Sequence, residues 1–193
     1  NEGLGKHSAK VTGNTAIDSL LITKSLLNDD FKVENFPKDG KIILVTAHRR
    51  ESHGIGIVRI CNAIKDICNN SNFPDVKVFW PVHPNPNIKD VVYKNLENID
   101  NIILSHPLNY EQFVWAMDNS YLILTDSGGV QEEAPSLNKP VLVMRDSTER
   151  PEGVDAGCLK MVGTNHHNIK KEVYKLLLDK DHYDSMANSK NPY

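Results

Sequence analysis

The stretch Tyr121-Leu-Ile-Leu-Thr-Asp-Ser-Gly-Gly-Val-Gln-Glu-Glu133 decides the fold of this chain. Its apolar first part predicts a buried strand, and the small residues that follow predict a tight turn into a helix. Ser127, Gly128 and Gly129 would leave backbone N–H groups at the start of that helix, where the helix dipole favours an anion. Glu133 lies about one helical turn further on, where it suits sugar hydroxyls rather than phosphate. The pattern indicates a nucleoside diphosphate whose ribose is bound by a carboxylate.

Apolar strand patterns alternate with helical patterns on both sides of this stretch. We predict strands at 41–47, 76–82, 101–105, 121–125, 140–144 and 158–162, and helices at 14–27, 56–69, 87–96, 109–117, 129–137 and 167–178. Because short links join them, this order predicts an α/β fold: a Rossmann-like parallel sheet of about six strands with helices on both faces. Ligands on such sheets bind beyond the carboxyl ends of the strands.

Composition excludes several classes of protein. The chain has 193 residues, a net charge of −3 and a pI of about 6.2, which argues against a nucleic-acid partner. No apolar run approaches the roughly 20 residues of a membrane span, so we expect no membrane partner. Cys61 and Cys68 lie at helical spacing, which predicts that they face the core and favours free thiols in a reducing, cytoplasmic compartment. The cysteine spacing suggests no metal site.

The first part of the chain differs from the rest. A helical pattern at 14–27 is followed by polar residues at 28–40, before the regular alternation of strands and helices begins. We therefore predict residues 1–40 as the end of a preceding domain, consisting of a helix and a linker, and residues 41–193 as the Rossmann-like domain. Both ends resemble interior pieces of a longer protein, and we expect a fragment.

Polar loops follow two of the predicted strands at the ligand edge. One strand ends in His48-Arg-Arg-Glu51, where His48 can hydrogen-bond a phosphate or a sugar hydroxyl and the arginines supply charge for phosphate oxygens. Another is followed by Arg145-Asp-Ser-Thr-Glu-Arg150, and Arg150 can neutralise a diphosphate or bind a sugar. A single such loop could be a solvated surface of Arg–Glu pairs. Convergence of several on one edge favours a binding site.

Two other loops leave alternatives open. In Pro81-Val-His-Pro-Asn-Pro86, the prolines predict a rigid loop that puts His83 at the rim of the cleft, although a structural histidine fits equally well. In His106-Pro-Leu-Asn-Tyr110, backbone groups near Leu108 can bind the edge of a base. Phe113 can stack on a flat ring or pack in the core.

Together these motifs resemble the UDP-N-acetylglucosamine 2-epimerase family. The matching segments occur in the family's order and span nearly the whole chain: Val11–Thr15, Thr46–Glu51, Pro81–Asn85, Thr125–Glu133, Val143–Glu152 and Asn191–Tyr193. The runs at 125–133 and 143–152 are highly specific. The resemblance implies one half of a GT-B type two-domain fold, here the C-terminal, UDP-binding domain. The missing N-terminal domain is then an expected partner, and the full-length protein an expected homodimer.

The resemblance also implies an activity. The family interconverts UDP-N-acetylglucosamine (UDP-GlcNAc) and UDP-N-acetylmannosamine, by elimination of UDP and its re-addition to a 2-acetamidoglucal, with no cofactor and no metal. The acid/base carboxylates lie mainly on the N-terminal domain, so we expect this chain alone to bind UDP weakly and not to epimerise. A hydrolysing 2-epimerase that releases N-acetylmannosamine, a GT-B glycosyltransferase and a non-catalytic nucleotide-sugar-binding fragment remain as alternatives.

Residue by residue, the resemblance assigns substrate contacts to His48, Leu108, Phe113, Ser127, Gly128, Gly129, Glu133 and Arg150. The turn residues would cradle phosphate through backbone N–H groups, Arg150 would bind near the phosphates, and Glu133 would hold the ribose. Uracil would lie between the backbone of Leu108 and the ring of Phe113. His48 would contact the diphosphate and is the candidate catalytic residue. In bacterial non-hydrolysing members, a second UDP-GlcNAc binds as activator at positions that match Arg49, Glu51 and His83.

Overall fold

The computed structural model describes residue 10 and residues 12–193. The first residues of the expected preceding domain, and Val11 of the motif at 11–15, lie outside the described residues. The strands are β1 (Lys41–Thr46), β2 (Val76–Pro81), β3 (Ile102–Ser105), β4 (Leu122–Thr125), β5 (Val141–Val143) and β6 (Leu159–Met161). They form one parallel sheet of six strands in the order β3-β2-β1-β4-β5-β6. The predicted fold class is confirmed.

Helices cover both faces of the sheet. They are α1 (Thr15–Leu26), α2 (Ile55–Cys68), α3 (Pro86–Leu96), α4 (Tyr110–Asp118), α5 (Gly128–Glu133), α6 (Pro151–Asp155), α7 (His166–Leu178) and α8 (Lys180–Ala187). Helices α6 and α8 are not predicted from the sequence, because α6 is only five residues long and α8 buries just Met186 and Ala187. Within the described ranges, no helix is long and apolar enough to cross a membrane.

The strands are apolar along their whole length because both faces of the sheet are covered. In β1, Ile43 and Val45 face a core shared with α2, α3 and α7, whereas Ile42 and Leu44 face a second core shared with α1, α4 and α5. The chain builds outward from β1 to β3 and then returns to place β4 on the other side of β1. This reversal opens a crevice beyond the carboxyl ends of β1 and β4.

The segment before β1 packs onto the sheet domain. Asn14 caps α1 by accepting a hydrogen bond from the Ala16 N–H at 3.0 Å. Leu20 of α1 is completely buried in the second core, together with Val33 and Phe36 from the irregular stretch that follows. The predicted domain boundary at residue 40 stays a prediction. The residues just before it nevertheless contribute apolar contacts to the same core.

The helix predicted at 129–137 is α-helical only in its first half. Residues 129–137 form α5 only as far as Glu133, and Ala134–Leu137 continue as a 3-10 helix. Pro135 explains the change, since it lacks the N–H for the next α-helical hydrogen bond and its ring crowds the preceding turn. Asn138 then ends the segment in the left-handed conformation, with φ at 56°.

The cysteines lie in the cores, as predicted for Cys61 and Cys68. Both thiols are buried against the first core, and burial raises the pKa of each to about 12. Cys158 is buried in the second core, and burial also raises the pKa of its thiol. A thiol that stays protonated in an apolar site behaves as a small hydrophobic group.

Candidate functional site

The candidate site lies where β1 and β4 end side by side. The register pairs Thr46 with Thr125, and their hydroxyl oxygens are 2.7 Å apart. Asp126 follows β4 and is completely buried. Its Oδ2 accepts hydrogen bonds from the backbone N–H groups of His48 and Arg49, each at 2.8 Å. These charge-assisted bonds join the loop after β1 to the turn after β4, so both polar loops are held at one edge.

Asp126 organises the site although the sequence analysis assigns it no role. Its second oxygen, Oδ1, lies 3.3 Å from Nδ1 of His48, a contact that lacks the alignment of a hydrogen bond. The sequence does offer one indication, since an aspartate directly after a buried strand must find donors or remain at the surface. Which donors it finds depends on the pairing of β1 with β4, and that pairing is long-range.

Gly128 lies beneath two guanidinium groups that come from different loops. A Cβ atom at this position would be 3.5 Å from Nη2 of Arg49 and 4.0 Å from Nη2 of Arg150. Gly128 and Gly129 are the first residues of α5, and the first N–H groups of a helix lack intrahelical acceptors. The structure therefore brings two positive charges and the start of a helix to one point, an arrangement that suits a phosphate group.

Ser127 uses its backbone differently from the other two turn residues. Its N–H donates to Oγ1 of Thr125 at 3.0 Å, because the hydroxyl of Thr125 turns toward the start of α5. From the sequence, we expect all three turn residues to offer backbone N–H groups to phosphate. In this structure the Ser127 N–H is already bonded within the protein, and Ser127 is one of the residues that line the neighbouring pocket.

An open pocket of about 220 Å³ adjoins the anion end of the site. It is lined by residues from the ends of strands, the loops that follow them and the helices α4 and α5, namely Thr46, Ala47, His48, Pro81, His83, Pro107, Leu108, Phe113, Ser127 and Val130. The imidazoles of His48 and His83 stack, with ring centroids 5.5 Å apart and 18° between their planes. Leu108 and Phe113 are half-buried against the second core. A small pocket with apolar walls and a few polar groups suits a flat base.

A larger cavity of about 750 Å³ opens at the other end of the sheet. Gly40 and Ile42 line it near the start of β1, and Trp115 forms another wall. The predicted site residues lie at the opposite edge, beyond the carboxyl ends of the strands. Since parallel sheets bind ligands at that edge, the smaller pocket with convergent polar groups is the candidate site.

Glu133 is half-buried beside the start of α4. Its Oε1 accepts a hydrogen bond from the Tyr110 hydroxyl at 3.0 Å. Burial raises the pKa of Glu133, the bond from Tyr110 opposes this, and the charge of Glu132 raises the pKa further. Burial and the charge of Glu133 together raise the pKa of Tyr110 to about 12, so the phenol remains a donor near neutral pH. Tyr110 thereby orients the carboxylate, a role that the sequence analysis does not predict.

The residues predicted for an activator site lie at the same edge but have separate partners. Arg49 lies over Gly128, and His83 stacks on His48. Glu51 accepts a 2.5 Å bond from Nε of Arg145, another residue that the sequence analysis leaves without a role.

Arg145 is a buried cation between two carboxylates. Besides Glu51, it bonds both oxygens of Glu149, at 2.6 and 3.0 Å. These bonds raise the pKa of Arg145, and Arg145 lowers the pKa of Glu149 to about 2. Arg145 thus ties the loop after β1 to the loop after β5. Among the residues that the structure describes, no group of three His, Cys, Asp or Glu side chains could hold a metal ion.

The fold and the site define a class of protein: a doubly wound, Rossmann-like α/β domain. Its polar cleft lies at the switch point, the place between β1 and β4 where the strand order reverses. A comparison with protein families narrows this class to one family. The family model described as UDP-N-acetylglucosamine 2-epimerase matches residues 1–193. The chain therefore belongs to the UDP-N-acetylglucosamine 2-epimerase family. The resemblance drawn from the sequence motifs is confirmed.

Individual relatives agree with the family assignment. A curated UDP-N-acetylglucosamine 2-epimerase of Campylobacter jejuni is 48% identical over 203 aligned residues, which cover 100% of this chain and 52% of the relative. The solved structure of S. aureus MnaA with UDP matches with a TM-score of 0.92 and 44% identity, over 100% of this chain and 52% of that one. The Neisseria meningitidis UDP-GlcNAc 2-epimerase, solved with UDP-GlcNAc, matches with a TM-score of 0.86 and 42% identity, over 95% and 51%. This chain spans about half the length of the curated relatives that it matches.

Proposed function

We propose that this chain is the UDP-binding half of a UDP-N-acetylglucosamine 2-epimerase, which interconverts UDP-GlcNAc and UDP-N-acetylmannosamine. The observation that carries the proposal is the pair of guanidinium groups, from Arg49 and Arg150, above Gly128 at the switch point. The pocket beside Phe113 includes Ser127, the residue before Gly128, and Glu133 is the last residue of α5, the helix that begins at Gly128. The relatives solved with UDP and with UDP-GlcNAc add support from outside the chain.

In the proposed complex, each part of UDP meets a different group of residues. The diphosphate lies at the N–H groups of Gly128 and Gly129, with Arg150 and His48 beside it. The ribose hydroxyls donate to the Glu133 carboxylate, which Tyr110 holds in place. Uracil enters the pocket of about 220 Å³, where it contacts the backbone of Leu108 and the ring of Phe113.

The proposed chemistry explains why positive charge is needed at this point. When the bond between the anomeric carbon and the diphosphate oxygen breaks, its electron pair and the developing negative charge stay on the diphosphate. Donors already aimed at that charge stabilise the transition state. Arg150 and the helix-start amides supply them, and His48 lies in the pocket beside them. Exchange of the proton at C2 needs carboxylates, which we assign to the N-terminal domain.

The remaining sequence predictions belong to the same proposal. Residues 41–193 would form the UDP-binding domain, and the partner domain would close over the carboxyl edge of the sheet. Arg49, Glu51 and His83 would line the site of an activating second UDP-GlcNAc, and because Arg49 also faces Gly128, that site would adjoin the diphosphate at Arg49. Glu51 would then act from a position held by Arg145.

Calorimetry with UDP tests the proposal. We expect Glu133→Ala to weaken UDP binding at least tenfold, or about 1.4 kcal/mol, because the ribose hydroxyls lose their acceptor. Glu97→Ala is the matched control, since Glu97 is an exposed glutamate at the end of α3. A UDP analogue without the 2′ and 3′ hydroxyls should bind the wild type and Glu133→Ala alike. Equal UDP affinity of Glu133→Ala and wild type would show that Glu133 does not bind the ribose.

A further inference from the structure

Arg150 is held by a carboxylate that the proposed nucleotide contacts leave unused. Its Nε donates to Oε1 of Glu132 at 2.5 Å, and its Nη1 donates to the Glu149 carbonyl at 3.2 Å. The nitrogen that lies 4.0 Å from the Cβ position of Gly128 is Nη2. Two of the three guanidinium nitrogens are thus bonded to protein, and the third is directed to the anion end of the site. Glu132 also raises the pKa of Arg150.

Glu132 is itself fixed from the first helix. Its second oxygen, Oε2, accepts a hydrogen bond from Nδ2 of Asn14 at 2.7 Å. Asn14 cannot turn freely, because its Oδ1 caps α1 through the Ala16 N–H. The backbone carbonyl of Glu132 accepts a further bond from Asn191 at 3.2 Å. Motif residues from both ends of the chain therefore meet at Glu132.

The main chain of Arg150 is held by the residue next to Glu132. Gln131 is completely buried, and its Oε1 accepts a 2.6 Å bond from the Thr148 hydroxyl. The same hydroxyl oxygen accepts the Arg150 N–H at 3.0 Å. Gln131 also donates to the Ser127 carbonyl at 3.1 Å, which connects this brace to the turn itself. Gln131 and Glu132 thus hold the backbone and the side chain of Arg150 relative to α5.

We propose that Glu132 is a positioning residue, which aims the guanidinium of Arg150 at the diphosphate site beside Gly128 and is itself oriented by Asn14. Both Glu132 oxygens have protein partners, Arg150 on Oε1 and Asn14 on Oε2. The inference rests on the proposed function for the identity of the anion. The contact between Glu132 and Arg150 does not depend on the proposed function.

Glu132→Gln tests this role, because glutamine keeps the size of the side chain and removes its charge. We expect UDP to bind about fivefold to tenfold more weakly, and uridine, which has no phosphate, to bind as in the wild type. In an Arg150→Ala background the same substitution should have no further effect on UDP binding. Asp66→Asn is the matched control, since Asp66 forms an ion pair with Lys170 between α2 and α7.

Two outcomes would overturn the proposal. One is unchanged UDP affinity in folded Glu132→Gln, and the other is an equal loss for UDP and uridine. If Glu132→Gln fails to fold, Asn14→Ala replaces it, with Glu132 retained and a smaller loss of about twofold to threefold expected in UDP binding alone. An unchanged affinity would then count against the role of Asn14 and Glu132.

A separate measurement distinguishes failure of this inference from failure of the proposed function. The Nε–H signal of Arg150 in a nitrogen-15 NMR spectrum, assigned by its loss in Arg150→Lys, should exchange slowly with water. It should shift and exchange faster in Glu132→Gln, whether or not UDP binds. Failure of the wild-type chain to bind UDP in calorimetry would refute the proposed function. An Arg150 signal that is the same in both proteins would refute the positioning role.

Discussion

At the scale of single residues, three neighbours in one polar run have three different partners. Gln131 turns inward to Thr148, Glu132 bonds Arg150, and Glu133 accepts the Tyr110 hydroxyl. Successive side chains on a helix point about 100° apart, so adjacent residues serve different surroundings. A polar run of this kind in a sequence could equally be a solvated face. Because this run is packed next to the switch point, each of its three residues has one defined partner.

The buried carboxylate of Asp126 gives a prediction at this scale. Asp126→Asn keeps one oxygen for the two backbone N–H groups that share Oδ2, but it removes the negative charge of that acceptor. We expect the free energy of unfolding to fall by about 1 to 3 kcal/mol, since hydrogen bonds to a charged group are stronger than bonds to a neutral one and the new NH2 group is a buried donor. Urea denaturation measures the change. The exposed pair of Asp39 and Lys77 provides the control, and Asp39→Asn should leave stability nearly unaltered. A result no larger than this control would show that Asp126 does not hold the loops.

At the scale of elements, α1 joins the sheet domain although its sequence suggests a connection to another domain. Leu20 is completely buried, whereas Leu26 on the same helix is 78% exposed. The irregular stretch after α1 adds Phe36, which packs edge-on against Trp115 of α4 with ring centroids 5.0 Å apart. This packing fixes Asn14, and through it the orientation of Glu132.

The unequal burial of two leucines on α1 allows a matched experiment. Leu20→Ala should lower the free energy of unfolding by about 2 to 5 kcal/mol, because it removes apolar contacts and leaves a cavity. Leu26→Ala carries the same chemical change on an exposed position and should have little effect. Thermal or urea unfolding of the two variants measures the difference. Similar stability of the two would mean that α1 is not part of this core.

At the scale of the whole molecule, strand order decides which loops can share a ligand. The sheet places β1 between β2 and β4, so the loops after these strands meet at one edge. His48 follows β1, His83 follows β2, and Ser127 follows β4, and all three line one pocket. Arg150 comes from the loop after β5, the next strand along. The reversal of strand order opens the cleft between them.

We propose that this chain binds UDP and that the N-terminal domain carries the acid/base carboxylates, and this predicts how the chain behaves alone. It should bind UDP in calorimetry but fail to exchange the C2 proton of UDP-GlcNAc for deuterium in heavy water, because the proposed acid/base carboxylates lie on the other domain. Proton NMR of the sugar detects the exchange. Full-rate exchange by the 193-residue chain would place the acid and base here instead. Recovery of exchange after a matching N-terminal domain is added would support the division and exclude a non-catalytic nucleotide-binding module.

The sequence by itself determined the fold class, the positions of the strands and the loops that carry the site. Strand and helix patterns are local, and parallel strands buried on both faces leave continuous apolar runs that are easy to detect. The family motifs at 125–133 and 143–152 are also local, which is why they identify the family without coordinates. Short or weakly amphipathic helices such as α6 and α8 lack such a pattern and escape prediction.

Only the tertiary structure decided which side chains act together. Asp126 finds its donors through the pairing of β4 with β1, and Arg145 joins two carboxylates from different loops. Glu132 meets Asn14, although 118 positions separate them in the chain. The physical reason is that hydrogen bonds between distant segments depend on three-dimensional distance and burial. Neither quantity is encoded in the spacing of residues along the chain.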